Sequence, residues 1–115
     1  MEIRSVKYLL MVQDMERAIK FYRDVIGLEL RSESSMWSEM GFGSAIIALH
    51  GGGSGVVNDT GLNIEVADLD TACAEIVSGG GKVSSGPEDR AGESIRLARL
   101  VDTEGNSFGM AEQTG

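Results

Sequence analysis

The sequence has a single cysteine, Cys73, so no internal disulfide can form. That usage fits a reducing compartment, and a cytoplasmic protein is expected. It also has a single histidine, His50, whereas a facial iron triad ordinarily takes two. Aromatic residues make up only 5% of the chain, so a groove that works by stacking has few rings to draw on. No run of about 18 apolar residues is present to span a bilayer, and no basic-then-apolar N-terminal segment reads as a signal peptide. Basic side chains are in deficit, 10 against 18 acidic ones, for a net charge of -8. A polyanion would be repelled overall, so neither nucleic acid nor a membrane is an expected partner.

What remains is ordinary globular composition, with 42% apolar and 24% charged residues. A chain of 115 residues fits one compact domain. At that size roughly two-thirds of the unfolded surface is buried, which is enough for a core without staples.

The chain reads as a duplication. Val12-Gln13-Asp14-Met15-Glu16-Arg17-Ala18 matches Val66-Ala67-Asp68-Leu69-Asp70-Thr71-Ala72 at an offset of 54, which also places Gly27 on Gly81. Each copy opens with a strand-like segment, Val6 to Val12 and Leu62 to Val66. Each then has an Asp suited to cap a helix through backbone N–H groups. Ala18, Phe21, Tyr22, Val25 and Ile26 recur at helical spacing, as do Leu69, Ala72, Cys73, Ile76 and Val77. Gly27 and the Gly79-Gly80-Gly81 run end those helices. Short strands follow over 28–32, 36–42 and 45–50 in the first copy, and over 82–84, 94–101 and 107–111 in the second. Glu88-Asp89-Arg90-Ala91-Gly92-Glu93 reads as a charged, solvated loop. The fold class is therefore α+β, with two tandem βαβββ modules. Module one covers about 3–50 and module two about 61–112, joined by a glycine-rich linker over 51–60. Gly51-Gly52-Gly53-Ser54-Gly55 is read as flexible connection rather than phosphate cradle, because no helix N-terminus follows it.

The ordered set Val12-x-Asp14, Ala18-x-x-Phe21-Tyr22, Gly27-Leu28, Val66-x-Asp68-Leu69-Asp70 and Asp102-x-Glu104-Gly105-Asn106 resembles the vicinal oxygen chelate superfamily. That superfamily holds glyoxalase I, extradiol dioxygenases and bleomycin-resistance proteins. The resemblance implies sheets that curl around a cleft, and a homodimer. It also places the usual metal ligands at Lys7, Ala48, Gly61 and Gly109. None of these suits a cation, because glycine and alanine carry no donor and a protonated lysine repels the ion. No metal and no cofactor is therefore expected.

Strand alternation predicts which side chains face the cleft. In the first strand Lys7, Leu9 and Met11 face it, while Tyr8, Leu10 and Val12 pack on the helices. Gly61, Asn63 and Glu65 face it from module two. Ile46, Ala48 and His50, and likewise Ser107, Gly109 and Ala111, complete the lining. Trp37, Glu39 and Arg96 are placed on the same inward faces. Lys7 either pairs with Glu39 or Glu65, or meets an acidic ligand, or serves as an amine nucleophile. His50 is either an exposed strand end, or a ligand contact or general base, or part of an unusual metal site with Glu39 and Glu65. Trp37 either packs or stacks on a flat ligand. Cys73 lies on a helix stripe and is expected to be buried and inert. The resulting expectation is a metal-free small-molecule-binding protein of the bleomycin-resistance type. Lys7, Trp37, Glu39, His50, Asn63, Glu65 and Arg96 are its candidate ligand contacts. The competing expectations are a lyase, isomerase or dioxygenase of the same superfamily, and an accessory module with no small-molecule role.

Overall fold

The computed structural model describes all residues, 1–115. Each module begins with a strand and a capped helix. Strand β1 (Lys7–Val12) leads into α1 (Met15–Lys20), and Asp14 caps that helix by accepting the Arg17 N–H at 3.1 Å. In module two, β5 (Asn58–Glu65) leads into α2 (Leu69–Ser78), where Asp68 accepts the Thr71 N–H at 3.1 Å. An unsatisfied N-terminal amide of each helix thus finds an acceptor.

The two helices end differently. Beyond Lys20 the chain continues as a π-helical stretch, Phe21–Ile26, and the Gly27 N–H bonds back to the Tyr22 carbonyl. The sequence spacing predicted one uninterrupted α-helix there. The wider turn holds one extra residue and buries the adjacent Phe21 and Tyr22 together, at 1% and 0% exposure. It also moves the repeat out of step. The left-handed positions that end the helices are Gly27 (φ 94°) and Gly80 (φ 101°), 53 apart instead of 54, so Gly81 is not the partner of Gly27.

The remaining strands are β2 (Glu29–Ser32), β3 (Trp37–Phe42), β4 (Ala45–Gly51), β6 (Lys82–Arg90), β7 (Ile95–Val101) and β8 (Asn106–Gln113). They form two four-stranded mixed sheets of order β1-β4-β3-β2 and β5-β8-β7-β6. In each sheet the first strand runs parallel to the last strand of its module, and the other pairings are antiparallel. Two spans depart from expectation. Strand β6 runs through Glu88-Asp89-Arg90, which pair with Leu97, Arg96 and Ile95, so that charged stretch is ladder rather than loop. Strand β5 starts at Asn58, shortening the connection between modules.

Helices cover one face of each sheet. Leu10, Val12, Met40, Ile47 and Leu49 of the first module share one cluster of 17 buried residues with Leu62, Leu69, Ile76, Leu100, Phe108 and Met110 of the second. Each such fully buried apolar side chain contributes roughly 1.5–3 kcal/mol by leaving water. Tyr8 was expected in that stripe. It is instead 37% exposed, and its hydroxyl takes the backbone N–H of Gly61 across the module boundary.

The Asp102-to-Asn106 turn fastens the modules through polar groups. Asp102 is 4% exposed and accepts the Glu104 and Asn106 amides, the Asn106 side chain and the Tyr22 hydroxyl, the last at 2.5 Å. Burial first, and then the Asp102 carboxylate, push the Tyr22 phenol well above its ordinary range, so it remains a donor. Asn106 Nδ2 also reaches the Met11 carbonyl at 2.9 Å. No buried side-chain polar atom is left without a partner, as a low-dielectric interior demands.

Candidate functional site

The face of each sheet turned away from the helices is open. On the first sheet the ladder aligns Lys7 with Ile46, Leu9 with Ala48 and Met11 with His50. The next ladder aligns Trp37 with His50 and Glu39 with Ala48. Period-two alternation therefore brings Lys7, Trp37, Glu39 and His50 to one face. Lys7 Nζ lies 2.7 Å from Glu39 Oε2, and Trp37 Nε1 donates to the same oxygen at 2.8 Å. The Lys7 ammonium also stands 5.9 Å from the Trp37 ring centre, and His50 meets that ring edge-on at 5.8 Å. The hydrogen bond from Lys7, then that from Trp37, holds the Glu39 carboxyl below its ordinary range. His50 Nδ1 lies 2.5 Å from the Gly51 carbonyl oxygen. A carbonyl oxygen only accepts, so Nδ1 is the donor there, and Nε2 is left without a partner in the chain.

On the second sheet Asn63 pairs with Gly109 and Glu65 with Ala111, so both side chains lie on the open face as expected. Glu65 takes a hydrogen bond from Gln113 Nε2 at 3.0 Å and pairs with neither Lys7 nor His50. A cavity of about 410 Å³ sits here, lined among others by Gly61, Asn63, Glu88, Leu97, Arg99 and Gly109. A larger depression of about 680 Å³ lies beside the start of α1, with Met15 its one apolar wall. It touches none of the open-face residues, and the smaller cavity is the better candidate.

Arg96 is a correction. It lies on the helix side of β7, where Nη1 and Nη2 meet the Asp70 carboxylate at 3.0 and 3.2 Å and Nε meets Asp89 at 3.3 Å. Ala98 and Leu100, buried at 4% and 0%, share its face. Arg99 takes the open face in its place, opposite Gly109. Each face of Ile95-Arg96-Leu97-Ala98-Arg99-Leu100 carries one arginine and at least two apolar residues, so alternation alone could not choose between them.

The donors do not fit a metal. No three His, Cys, Asp or Glu side chains converge anywhere in the chain. At the four positions the resemblance assigns to ligands, Lys7 is tied to Glu39, Ala48 is fully buried, and Gly61 and Gly109 offer only backbone.

The sequence matches the profile of the "Glyoxalase-like domain" over residues 8–111. The chain belongs to this glyoxalase-like family. Solved structures agree on the fold. A glyoxalase/bleomycin resistance protein/dioxygenase family enzyme from Burkholderia phytofirmans PsJN is 18% identical with a TM-score of 0.78, covering 93% of this chain and 96% of that one. A superfamily member from Sphaerobacter thermophilus DSM 20745 is 20% identical with a TM-score of 0.79, over 96% and 98% of the two chains. TnmS3, an antibiotic binding protein from Streptomyces sp. CB03234, is 22% identical with a TM-score of 0.75, over 97% of each chain. Curated protein sequences give no significant match. No helix of this glyoxalase-like chain is long and apolar enough to cross a membrane.

Proposed function

We propose that this glyoxalase-like protein binds a small organic molecule on its open sheet faces without a metal. The observation that carries the reading is the Lys7–Glu39 ion pair, at 2.7 Å, with Trp37 on the same carboxylate. A cation and its counter-ion fill the face where the superfamily would gather metal donors. What stays available is a recognition surface: the half-exposed Trp37 ring, His50 Nε2, the Asn63 amide and the cavity around Gly109. Glu65 borders it, whereas Arg96 is committed to Asp70 and Asp89. Similarity to an antibiotic binding protein over nearly the full chain supports the same reading.

The protein is further proposed to act as a homodimer. Leu9 and Met11 on the first sheet's open face are 49% and 40% exposed beside Trp37, and a second copy covering them would remove that apolar surface from water. The free, buried Cys73 suits a cytoplasmic setting. The test is a titration of Trp37 fluorescence and melting temperature with a panel of planar organic compounds, neutral, cationic and bearing a single carboxylate. At least one compound is expected to quench Trp37 and raise the melting temperature. A panel that does neither would overturn the binding reading. Metal analysis of protein purified without chelator is expected to find no stoichiometric Ni, Zn or Fe. One such ion per chain, with turnover lost on chelation, would replace it with a metal-dependent enzyme.

A further inference from the structure

We infer that Arg99, with Asn63, forms a seat for a single carboxylate on the ligand. The inference rests on the small-molecule reading and names the chemistry that one part of the site selects. Arg99 is half-buried on the open face of β7 and lines the 410 Å³ cavity. The other six arginines each have a carboxylate within ion-pair distance, Arg4, Arg17, Arg23, Arg31, Arg90 and Arg96, and Arg99 has none. In a chain with 18 acidic side chains, that exception stands out physically. The guanidinium spends one donor, Nη2, on Ser107 Oγ at 3.0 Å, which fixes its plane. Its other N–H groups have no partner in the chain, and a planar fork of this kind matches a carboxylate in two-point contact.

Gly109 makes the approach possible. A Cβ there would stand 2.9 Å from Asn63 Oδ1 and 3.3 Å from Arg99 Nη1. Both side chains thus converge over bare backbone. The Asn63 amide makes no hydrogen bond within the chain and supplies N–H donors next to the guanidinium. Of the two cations that line the cavity, Arg90 is paired with Glu93, which leaves Arg99 as its one unpaired positive charge. Glu88 is exposed at the rim of the same cavity and disfavours a second anionic group on the ligand. The net charge of -8 opposes anions at long range, but charges beyond about 8 Å are largely screened at physiological salt.

The test uses benzoate, its neutral isostere benzamide, and inorganic phosphate at constant ionic strength, read by the Arg Nε–Hε NMR spectrum and by calorimetry. Benzoate is expected to shift the Arg99 Nε–Hε signal and the Gly109 amide, while benzamide and phosphate do not. Arg99→Gln should weaken benzoate binding about tenfold or more, which is 1.4 kcal/mol. Gly109→Ala should do the same by closing the seat. Equal binding of benzamide, a benzoate shift that survives Arg99→Gln, phosphate binding in preference to benzoate, or no Arg99 response at millimolar benzoate would each overturn the inference. So would dissociation of a dimer by Arg99→Gln, which would assign the guanidinium to the second copy. A planar carboxylate that quenches Trp37 while Arg99 stays silent would sink the carboxylate seat and leave the binding reading standing.

Discussion

Glu104 shows how much one buried side chain carries here. Its side chain has no exposed surface, yet it accepts from the Gln13 and Asp14 amides, the Thr103 hydroxyl, and Arg17 Nε at 2.8 Å and Nη2 at 3.1 Å. Burial pushes its carboxyl up, but hydrogen bonds from Arg17, the Asp14 amide and Thr103 outweigh it, and the group titrates below its ordinary value. A carboxyl depressed in the folded state stabilises the fold above its unfolded pKa, near 4.3, and that contribution is lost as pH falls through the folded value. Arg17→Ala leaves the carboxylate buried without its cation. The expected cost is about 2 kcal/mol near neutral pH, below that of a fully buried pair because the Arg17 side chain is 46% exposed. The acid-unfolding midpoint should also move to higher pH, which denaturation followed by circular dichroism across pH 3 to 7 would register. An unmoved midpoint would mean that Arg17 does not hold Glu104 ionised. Residue-level legibility was uneven for a related reason. Lys7, Trp37, Glu39 and His50 could be assembled from alternation because β1, β3 and β4 keep an unbroken register. Arg96 could not be separated from Arg99, because the choice depends on which face α2 covers, and the strand's own letters do not say.

At the scale of elements, both Asp caps and the βαβββ succession of each module were readable from the repeat. The π-helical stretch over Phe21–Ile26 was not, because apolar residues at 21, 22, 25 and 26 satisfy either helix type. The partner that Tyr22 finds at Asp102 lies in the other module, out of reach of any local spacing. The same holds for Glu88-Asp89-Arg90, whose charge reads as loop until β7 is seen to pair with it. Gly27 isolates the cost of ending the first helix. It sits at φ 94° with nothing within 4 Å of where a Cβ would go. Gly27→Ala therefore meets no clash and should cost only the left-handed backbone penalty, about 1–2 kcal/mol. Chemical denaturation should show that loss with an unchanged slope. Gly79→Ala is the contrasting case, because its Cβ would fall 2.4 Å from Val25 Cγ2, and a larger loss is expected as the end of α2 is forced off the π-helical stretch. A neutral Gly27→Ala would show that the turn relaxes to another conformation.

For the whole molecule, the question is whether the two modules are separate folding units. Repeat symmetry suggests that each half is self-sufficient, but the packing argues otherwise. The single buried cluster takes residues from both modules, and the turn of module two satisfies the polar groups of module one: Tyr22 through Asp102, the Gln13 and Asp14 amides through Glu104, and the Met11 carbonyl through Asn106. Cutting the chain in the connection before Asn58 would expose the shared apolar surface and leave those groups without partners. A half of roughly 55 residues buries only about 60% of its unfolded surface even when complete, and so has little margin to absorb that loss. Residues 1–55 and 56–115, each expressed alone, are therefore expected to give poorly dispersed NMR spectra and no cooperative melt. The intact chain is expected to unfold in one transition that coincides by fluorescence and circular dichroism. Mixing the halves should restore dispersion, because the contacts that each lacks are supplied by the other. A half that folds cooperatively by itself would show that the duplicated unit carries its own core, and that the polar lock at Asp102, Glu104 and Asn106 only joins two finished parts.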